Sequence, residues 1–314
     1  MPRKHEKYER LIARCKCLTP VSTAVAHPCD ENSLRGAVEA AELGIIRPIL
    51  VGPTTKIEET AKKFHLDISK FEIADAPHSH AAAELAGQLA REGKAEMLMK
   101  GSLHTDELMS AVVKSATGLR TERRISHAFI MDVPSLDRAI IVTDAAINIF
   151  PTLEDKVHII QNAIDLAHCL GLPQPKVAIL SAVETITPNI PSTVEAGALC
   201  KMAERKQITG GLLVGPLALD NAINIQAAKI KQVDSPVAGL ADILIVPDLE
   251  AGNMLAKSLS FLADADAAGV VLRARVPIIL TSRADSVSIR LASCAVAALV
   301  AHARRKNLTQ TVAR

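Results

Sequence analysis

Aromatic residues are nearly missing from this chain, which has no Trp, one Tyr and 5 Phe among 314 residues. Proteins that bind single-stranded nucleic acid stack bases on aromatic side chains, and membrane proteins concentrate Trp and Tyr at the membrane interface. The 36 basic and 34 acidic residues leave a formal net charge of +2, which attracts neither polyanions nor anionic lipid. The composition therefore predicts no nucleic acid and no membrane among the partners.

Cysteine is also sparse, and only Cys15 and Cys17 of the 6 cysteines lie close together in the sequence. This spacing matches neither a disulfide framework nor a zinc ligand set. The first ten residues carry charges of both signs where a secretory signal requires an apolar core. Residues 291–303 are the longest apolar stretch, too short to span a bilayer and typical of a buried helix. We therefore expect a protein of the reducing cytoplasm.

Several motifs of known chemistry are missing too. The chain contains no Gly-x-Gly-x-x-Gly fingerprint, no phosphate-binding loop ending in Gly-Lys-Ser/Thr, and no Gly-x-Ser-x-Gly elbow. His78, His80 and His104 have no carboxylate or thiol at the usual metal-ligand spacing. These absences disfavour a dinucleotide dehydrogenase and a serine hydrolase, and they predict no metal site.

The sequence does contain a regular alternation of strand-like and helix-like segments in its first hundred residues. Residues 21–26, 48–51 and 97–99 are apolar runs typical of strands, and residues 34–43 and 78–91 have helical spacing. Asn32 or Ser33 is expected to cap the first of these helices. Such alternation predicts an α/β fold with a parallel sheet.

The alternation changes at residues 126–133 and 138–142, two strand-like runs joined by only four residues. So short a connection permits an antiparallel hairpin and excludes a helical crossover. Residues 153–170, capped by Thr152, and the strand-like residues 176–180 begin a second α/β layer. We therefore place a domain change near the hairpin.

Polar side chains follow the apolar run 276–280, immediately before a helical pattern that begins near residue 287. The carboxyl end of a strand and the start of a helix together form a favourable anion site. Ser282 supplies a small donor, Arg283 a planar cation suited to phosphate oxygens, and Asp285 a proton acceptor. The alternative is that Asp285 or Ser286 simply caps the helix and that Arg283 is solvated.

A second junction of this kind follows residues 97–100, where Lys100 and Gly101 end a strand and Thr105 lies near a helix start. It is another candidate for the same anion site. The alternative is a capped turn in which Thr105 or Asp106 caps a helix from about residue 107 and Lys100 lies on the surface.

A third junction follows the strand-like residues 243–246 and carries Asp248, Glu250, Gly252 and Asn253. Acidic residues at a helix start most often complement the helix dipole or cap it. A glycine in the first helical turn has no such explanation and suggests close approach of another backbone.

Taken together, these stretches resemble the phosphate acetyltransferase/phosphate butyryltransferase family. The resemblance is carried by residues 235–239, 246–253, 144–151, 100–106, 118–120 and 280–286, which are spread over nearly the whole chain. It implies two α/β/α domains with an interdomain cleft, similar to the isocitrate/isopropylmalate dehydrogenase fold. The implied domains are residues 1–136 with 277–314, and residues 137–276, in a homodimer.

The resemblance also implies a reaction, the reversible transfer of a short acyl group, of the acetyl or butyryl class, between coenzyme A and inorganic phosphate. Coenzyme A is then a substrate, and neither a cofactor nor a metal is needed. The implied catalytic residues are Ser282, Arg283 and Asp285. The implied substrate-binding residues are Lys100, Gly101, Thr105, Asn148, Pro151, Asp248 and Asn253.

The sequence departs from the acetyl-type family pattern at two places. The position of its catalytic aspartate is occupied by Ser288 or Ile289, which makes Asp285 the nearest carboxylate. A second family arginine is replaced by Met109 or Ser110. The second change predicts a roomier acyl pocket that tolerates chains longer than acetyl.

Two other functions stay open at this point. The missing arginine and the displaced aspartate are compatible with a catalytically weakened module that binds coenzyme A or acyl phosphate. A metal-dependent dehydrogenase of the related fold would need clustered carboxylates, for which Asp242 and Asp248 are the nearest candidates. Release of free thiol, ligand binding without release, and reduction of a nicotinamide distinguish the three functions.

Overall fold

The structure, a computed structural model, describes residues 6–282 and 285–312, with side chains described for residues 7–282 and 285–306. The described residues form two compact units, the first containing those up to Arg123 and from Ala268 onward, the second Arg124–Ala267. The domains predicted from the sequence, 1–136 with 277–314 and 137–276, stay a prediction.

Helices and strands alternate along the chain, as the apolar pattern predicts. The elements are α1 (Glu6–Lys16), β1 (Val21–Ala26), α2 (Glu31–Glu42), β2 (Ile46–Gly52), α3 (Thr54–Lys63), β3 (Glu72–Asp75), α4 (Ser79–Arg91), β4 (Met97–Lys100), α5 (Thr105–Val113), β5 (Ser126–Asp132), β6 (Ile140–Thr143), α6 (Leu153–Cys169), β7 (Lys176–Leu180), α7 (Pro191–Glu204), β8 (Leu212–Leu217), α8 (Leu219–Ile223), α9 (Ile225–Ile230), β9 (Ile243–Ile245), α10 (Leu249–Leu262), β10 (Asp266–Leu272), β11 (Ile278–Ile279) and α11 (Val287–Val312).

In the first unit the strands lie in the order β3-β2-β1-β4-β11-β10. The pairs from β3 to β11 are parallel, and only β10 is antiparallel to its neighbour β11. Every residue of β1 and β4 is buried, as expected for parallel strands covered on both faces. Because β1, β4 and β11 run in the same direction, the residues after Ala26, Lys100 and Ile279 lie at one edge of this sheet.

The first unit also contains α11, whose middle part is the apolar stretch 291–303. The prediction of a helix there is confirmed, and side chains such as Leu291, Cys294 and Val296 are buried. The helix is longer than its apolar stretch, and Val287–Lys306 is long and apolar enough to cross a membrane. Most of that segment is buried within the protein, which is typical of the core helix of a soluble protein.

In the second unit the strands lie in the order β5-β6-β9-β7-β8. β5 and β6 are antiparallel, which confirms the predicted hairpin, and the other pairs are parallel. A core that includes Met131, Val142 and Leu244 fills one side of this sheet. The helix α6 begins after Thr152, whose hydroxyl accepts a hydrogen bond from Asp155 N, as predicted.

The predicted caps of two helices, α2 and α5, are wrong. The cap of α2 is Asp30 and not Asn32 or Ser33, because the Asp30 carboxylate accepts a 2.8 Å hydrogen bond from Ser33 N. The cap of α5 is His104 and not Thr105 or Asp106, because Glu107 reaches back to accept a hydrogen bond from His104 N. Each helix therefore begins earlier than the apolar pattern indicates.

Candidate active site

The Ser282 junction forms a short turn between β11 and α11. Ser282 N donates a 2.5 Å hydrogen bond to Asp285 Oδ2, and Asp285 N donates back to Ser282 O at 3.3 Å. Ser286 Oγ accepts a hydrogen bond from Ile289 N and so caps the helix. Asp285 therefore stabilises the turn. Of the two residues predicted as alternative helix caps, Ser286 is the one that caps α11. Arg283, the third predicted catalytic residue, lies outside the described residues.

Asp285 is half-buried, and its protonation depends on its surroundings. Burial raises the pKa of the Asp285 carboxyl above its usual value, because the charged form loses solvation. The hydrogen bond from Ser282 and the positive charges of Arg290 and Lys100 act in the opposite direction on that pKa. A half-buried carboxyl close to two cations is suited to exchanging a proton with a reactant.

Arg290 is part of this junction, although the sequence did not identify it as a site residue. Its side chain is fully buried, with Nη1 donating to Thr281 Oγ1 at 2.7 Å and Nη2 donating to Ser282 O at 2.9 Å. The same burial lowers the pKa of Arg290. The available sequence signal for Arg290 was its place directly before the apolar stretch 291–303.

The second junction lies at the same edge of the first unit's sheet. Lys100 is only 2% exposed and Nζ donates to Gly101 O at 3.5 Å, so the alternative of a surface lysine is wrong. Gly101 N donates to Ala26 O, and a Cβ at Gly101 would lie 2.5 Å from His27 O. Only glycine fits at this position, because the loop after β4 passes directly over the end of β1.

Two side chains that the sequence did not identify lie beside Gly101. Ser102 Oγ donates to His27 O at 2.8 Å and lies 2.9 Å from His27 Nδ1. Burial is the main reason why the pKa of His27 is below its usual value. Thr105, at the start of α5, is exposed, and Ser110 is exposed on the same helix. The break His27-Pro-Cys-Asp30 directly after β1 was the available sequence signal for His27.

In the first unit, then, two buried cations and one carboxylate belong to a single cluster, which we call the junction cluster: Lys100, Thr281, Ser282, Asp285 and Arg290. Opposite charges of this kind in a partly dry environment interact strongly. Asp30, before α2, also acts on Arg290, so two cations face two carboxylates among the described residues here. Buried cations of this kind are suited to holding anionic oxygens.

In the second unit, polar residues surround the loop after β6. The carboxylate of Asp144 is 3% exposed and accepts hydrogen bonds from His127 N, Ala146 N, Ile147 N and Asn148 Nδ2. Four donors converge on this carboxyl group and fix the loop backbone around it. The loop is therefore built around one buried side chain.

Asn148, a predicted substrate ligand, belongs to this network. It is 4% exposed, donates to Ile125 O at 3.0 Å and accepts from Arg124 Nε at 2.5 Å. Arg124 also forms an ion pair with Asp155 at 3.0 Å. The structure thus assigns Asn148 a role in ordering the loop, and direct contact with a substrate stays a prediction.

The third junction packs against the same loop. Asp248 caps α10 through a 2.8 Å hydrogen bond from Ala251 N, as acidic residues at helix starts commonly do. A Cβ at Gly252 would lie 2.8 Å from Asp144 O, and Asn253 Nδ2 donates to Ala145 O. The close backbone approach predicted from Gly252 is therefore present. Pro151, at the other end of the loop, is buried directly before Thr152.

Among the described residues, no group of three or more His, Cys, Asp or Glu side chains lies close enough together to hold a metal ion. That the reaction needs neither a metal nor a cofactor stays a prediction.

Comparison with known proteins places this chain in a family. The family described as "Phosphate acetyl/butaryl transferase" matches residues 78–298. A phosphate acetyltransferase of Rhizobium meliloti is 66% identical over 304 residues, 97% of this chain and 96% of that protein. A phosphate butyryltransferase of Clostridium beijerinckii is 42% identical over 301 residues, 96% of this chain and 99% of that protein. The chain belongs to the phosphate acetyl/butyryl transferase family, a family of acyltransferases.

Solved structures agree with this assignment. A branched-chain phosphotransacylase from Enterococcus faecalis V583 has a TM-score of 0.79 and 29% identity, covering 90% of this chain and 99% of that chain. A 4-hydroxythreonine-4-phosphate dehydrogenase from Klebsiella pneumoniae has a TM-score of 0.55 at 11% identity, over 90% of this chain and 100% of that chain, and shares the fold alone. The predicted family and the dehydrogenase-like α/β fold are confirmed; the interdomain cleft stays a prediction.

Proposed function

We propose that this chain catalyses the reversible transfer of a short acyl group between coenzyme A and inorganic phosphate. Its relatives are named phosphate acetyltransferase and phosphate butyryltransferase, and they match nearly the full chain. The structural observation that carries the proposal is the junction cluster. In it, the buried cations Lys100 and Arg290 act on a turn formed by Ser282 and Asp285.

The cluster suits the charge of the reactants. Coenzyme A, inorganic phosphate and acyl phosphate are all anionic, so bringing two of them together requires fixed positive charge. Arg283 is proposed to bind the phosphate oxygens as a bidentate fork, with Lys100 as a second cation and Thr105 as a hydroxyl donor. The two buried cations of the described cluster support this assignment.

The proposed reaction is a direct attack of one reactant on the acyl carbon of the other. In the direction of acyl-coenzyme A synthesis, Asp285 accepts the thiol proton of coenzyme A, and the sulfur forms a bond to the carbonyl carbon. The C–O bond to phosphate then breaks, and phosphate leaves with its electron pair. Ser282 donates a hydrogen bond to the oxyanion that forms at the carbonyl. The place of Asp285 in the same turn as Ser282 supports its role, and burial, which raises its pKa, makes the carboxylate a stronger proton acceptor.

The residues of the second unit are proposed to bind coenzyme A. Asn253, Asp248, Asn148 and Pro151 belong to two loops that are joined by the contact of Gly252 with Asp144 O. We propose that these loops, fixed by the Asp144 network, present their backbone groups to the ligand. Gly101 is proposed to keep the loop after β4 against the end of β1, where its main chain can contact a reactant. We also propose that the protein is a homodimer in the cytoplasm, as expected from the sequence.

The test is an assay of free thiol release from acetyl-, propionyl- and butyryl-coenzyme A, with and without phosphate. We expect release only when phosphate is present, and an Arg283→Ala protein should lose at least about 100-fold of the rate, the order expected for loss of one charge-stabilising group. Saturable binding of coenzyme A without thiol release at any chain length would support the binding module instead. Reduction of a nicotinamide in the presence of a divalent metal would support the dehydrogenase.

The acyl chain is proposed to include both acetyl and longer groups. The 66% identical relative is named an acetyltransferase, which supports acetyl as a substrate. Met109 and Ser110 in place of a family arginine support tolerance of longer chains, as expected from the sequence. One methylene in an acyl pocket changes specificity by about ten- to two-hundredfold, so we expect kcat/KM for acetyl and butyryl to differ by less than about a hundredfold.

A further inference from the structure

Arg290 lies at a position that disfavours a cation. It is fully buried, within the first turns of α11, where the helix dipole is positive. Its Nε atom has no hydrogen-bond partner among the described residues. Burying a charged group is costly unless the group is paired and hydrogen-bonded, so a specific benefit must balance this cost.

The hydrogen bonds of Arg290 show where that benefit lies. Its two terminal nitrogens donate to the Thr281 hydroxyl and to the Ser282 carbonyl, which belong to consecutive residues shortly after β11. A guanidinium holds its donors in a rigid fork, so the two bonds fix the position and the direction of the chain at Ser282. The Ser282 N–H is thereby aimed at Asp285, to which it donates.

The neighbouring helix α2 is adapted to this side chain. Gly36 is buried in the interior of α2, and a Cβ there would lie 2.9 Å from Arg290 Cδ and 3.3 Å from Arg290 Cβ. Glycine in a helix interior is unfavourable, and Gly36 has no positive φ that would require it. The space for the Arg290 stem explains the glycine, which leaves room for this side chain where α2 packs against α11.

We propose that Arg290 is a positioning residue, whose guanidinium holds the chain at Thr281 and Ser282 so that Ser282 and Asp285 are presented to the reacting groups. Its effect on catalysis rests on the function proposed above. It differs from the roles of Ser282, Arg283 and Asp285, because Arg290 acts through them and does not contact the substrate.

The charge of Arg290 has a second effect at the same place. The groups that act on the carboxyl of Asp285 are Arg290 on α11 and Lys100 at the end of β4. Arg290 itself faces Asp285, Asp30 before α2, and the buried thiol of Cys294. Removing the guanidinium charge leaves Lys100 as the described cation near Asp285, so the carboxyl should hold its proton to a higher pH.

The test compares Arg290→Lys, Arg290→Gln and Gly36→Ala with the unchanged protein. Lysine keeps the charge but loses the fork, so we expect kcat to fall about 10-fold while the acid limb of the pH profile stays in place. Glutamine loses both, so we expect kcat to fall about 100-fold, the order expected for a misplaced reacting group, with the acid limb moved to higher pH. In both variants KM for phosphate should change less than kcat does.

The matched control is Arg35→Gln, because Arg35 lies on the outer side of α2 and pairs with Glu31 at 2.9 Å. Its kcat and pH profile should equal those of the unchanged protein. If Arg290→Gln shows no cooperative unfolding transition, Gly36→Ala takes its place, since the added methyl group displaces the Arg290 stem and should lower kcat about 10-fold.

A folded Arg290→Gln or Gly36→Ala protein with unchanged kcat and an unchanged acid limb would overturn the proposal, even if its melting temperature were lower. Failure of the proposed function is a separate result, seen as no thiol release by the unchanged protein. In that case, hydrogen exchange of the Ser282 N–H, measured by NMR in the unchanged and Arg290→Lys proteins, decides the positioning role, because lysine keeps the charge. Equal exchange rates would reject it, and faster exchange in the variant would support it.

Discussion

The main-chain N–H of Ser282 donates a 2.5 Å hydrogen bond to Oδ2 of Asp285. The proposed oxyanion donor and the proposed base are therefore parts of one hydrogen-bonded turn. A turn held in this way reduces the reorganisation needed during reaction, which is how preorganised sites stabilise a transition state.

Replacing Asp285 with Asn keeps the hydrogen bond from Ser282 N but removes the proton acceptor. We expect kcat for thiol release to fall by about 10²- to 10⁴-fold, the range typical of a lost general base. In the unchanged protein, activity should rise with pH through the raised pKa of Asp285, since only the ionised form accepts a proton. Rates measured from about pH 4 to pH 8 check both expectations, and a fully active Asp285→Asn protein contradicts them.

The same substitution should stabilise the folded protein at neutral pH. Because the pKa of Asp285 is raised by folding, its contribution to stability is fully present below its usual value of 3.8 and is lost as pH rises through the folded value. The melting temperature of Asp285→Asn should therefore exceed that of the unchanged protein by more at pH 7 than at pH 4. Asp67→Asn is the control. Hydrogen bonds from Ser69 lower the pKa of Asp67, so this substitution should lower the melting temperature by more at pH 7 than at pH 4.

Lys100→Met tests the buried cation at the end of β4. Methionine has nearly the same shape, so we expect little loss of stability, or a gain, because a buried ion is replaced by an apolar group. KM for phosphate should rise by about 10-fold or more, the effect of losing one charged hydrogen bond to an anion. The exposed Lys70→Met serves as the control. An unchanged KM for phosphate in the Lys100 variant would exclude Lys100 from phosphate binding.

Gly101→Ala should destabilise the first unit strongly. The added methyl group would overlap Ala26 O and lie 2.5 Å from His27 O, and both of these obstacles are main-chain atoms. We expect a loss of about 1–3 kcal/mol in the free energy of unfolding, the range of an overpacked site. Gly87→Ala is the matched control: a Cβ at Gly87 on α4 would meet open space, and alanine should stabilise that helix by roughly 0.5–1 kcal/mol. Urea unfolding of both variants distinguishes the outcomes.

Asn148→Ala tests whether this residue orders the loop of the second unit. The substitution removes one donor from the buried carboxylate of Asp144 and leaves Ile125 O without its amide partner. We expect a loss of about 1–3 kcal/mol in the free energy of unfolding, the cost of unsatisfied buried polar groups. The exposed Asn189→Ala should change it by less than about 0.5 kcal/mol. A stable Asn148→Ala protein with a raised KM for coenzyme A would instead support direct contact with the substrate.

Much of the fold follows from local sequence. The strand and helix alternation is visible because buried strands and amphipathic helices have different apolar periods, and both appear within short windows. The hairpin of β5 and β6 is predictable because its connection is too short for a helix. The caps of α2 and α5 were missed because Asp30 and Glu107 act through side-chain reach, which the apolar period does not record.

The sequence by itself determined the family, the α/β class and the turn that carries Ser282 and Asp285, because these depend on residues close together in the chain. Only the tertiary structure decided that Lys100 is buried, that Asn148 belongs to the Asp144 network, and that Arg290 supports the turn. Gly36 illustrates the physical reason. Its role depends on the stem of Arg290, which lies far away in sequence and meets it only when α2 packs against α11.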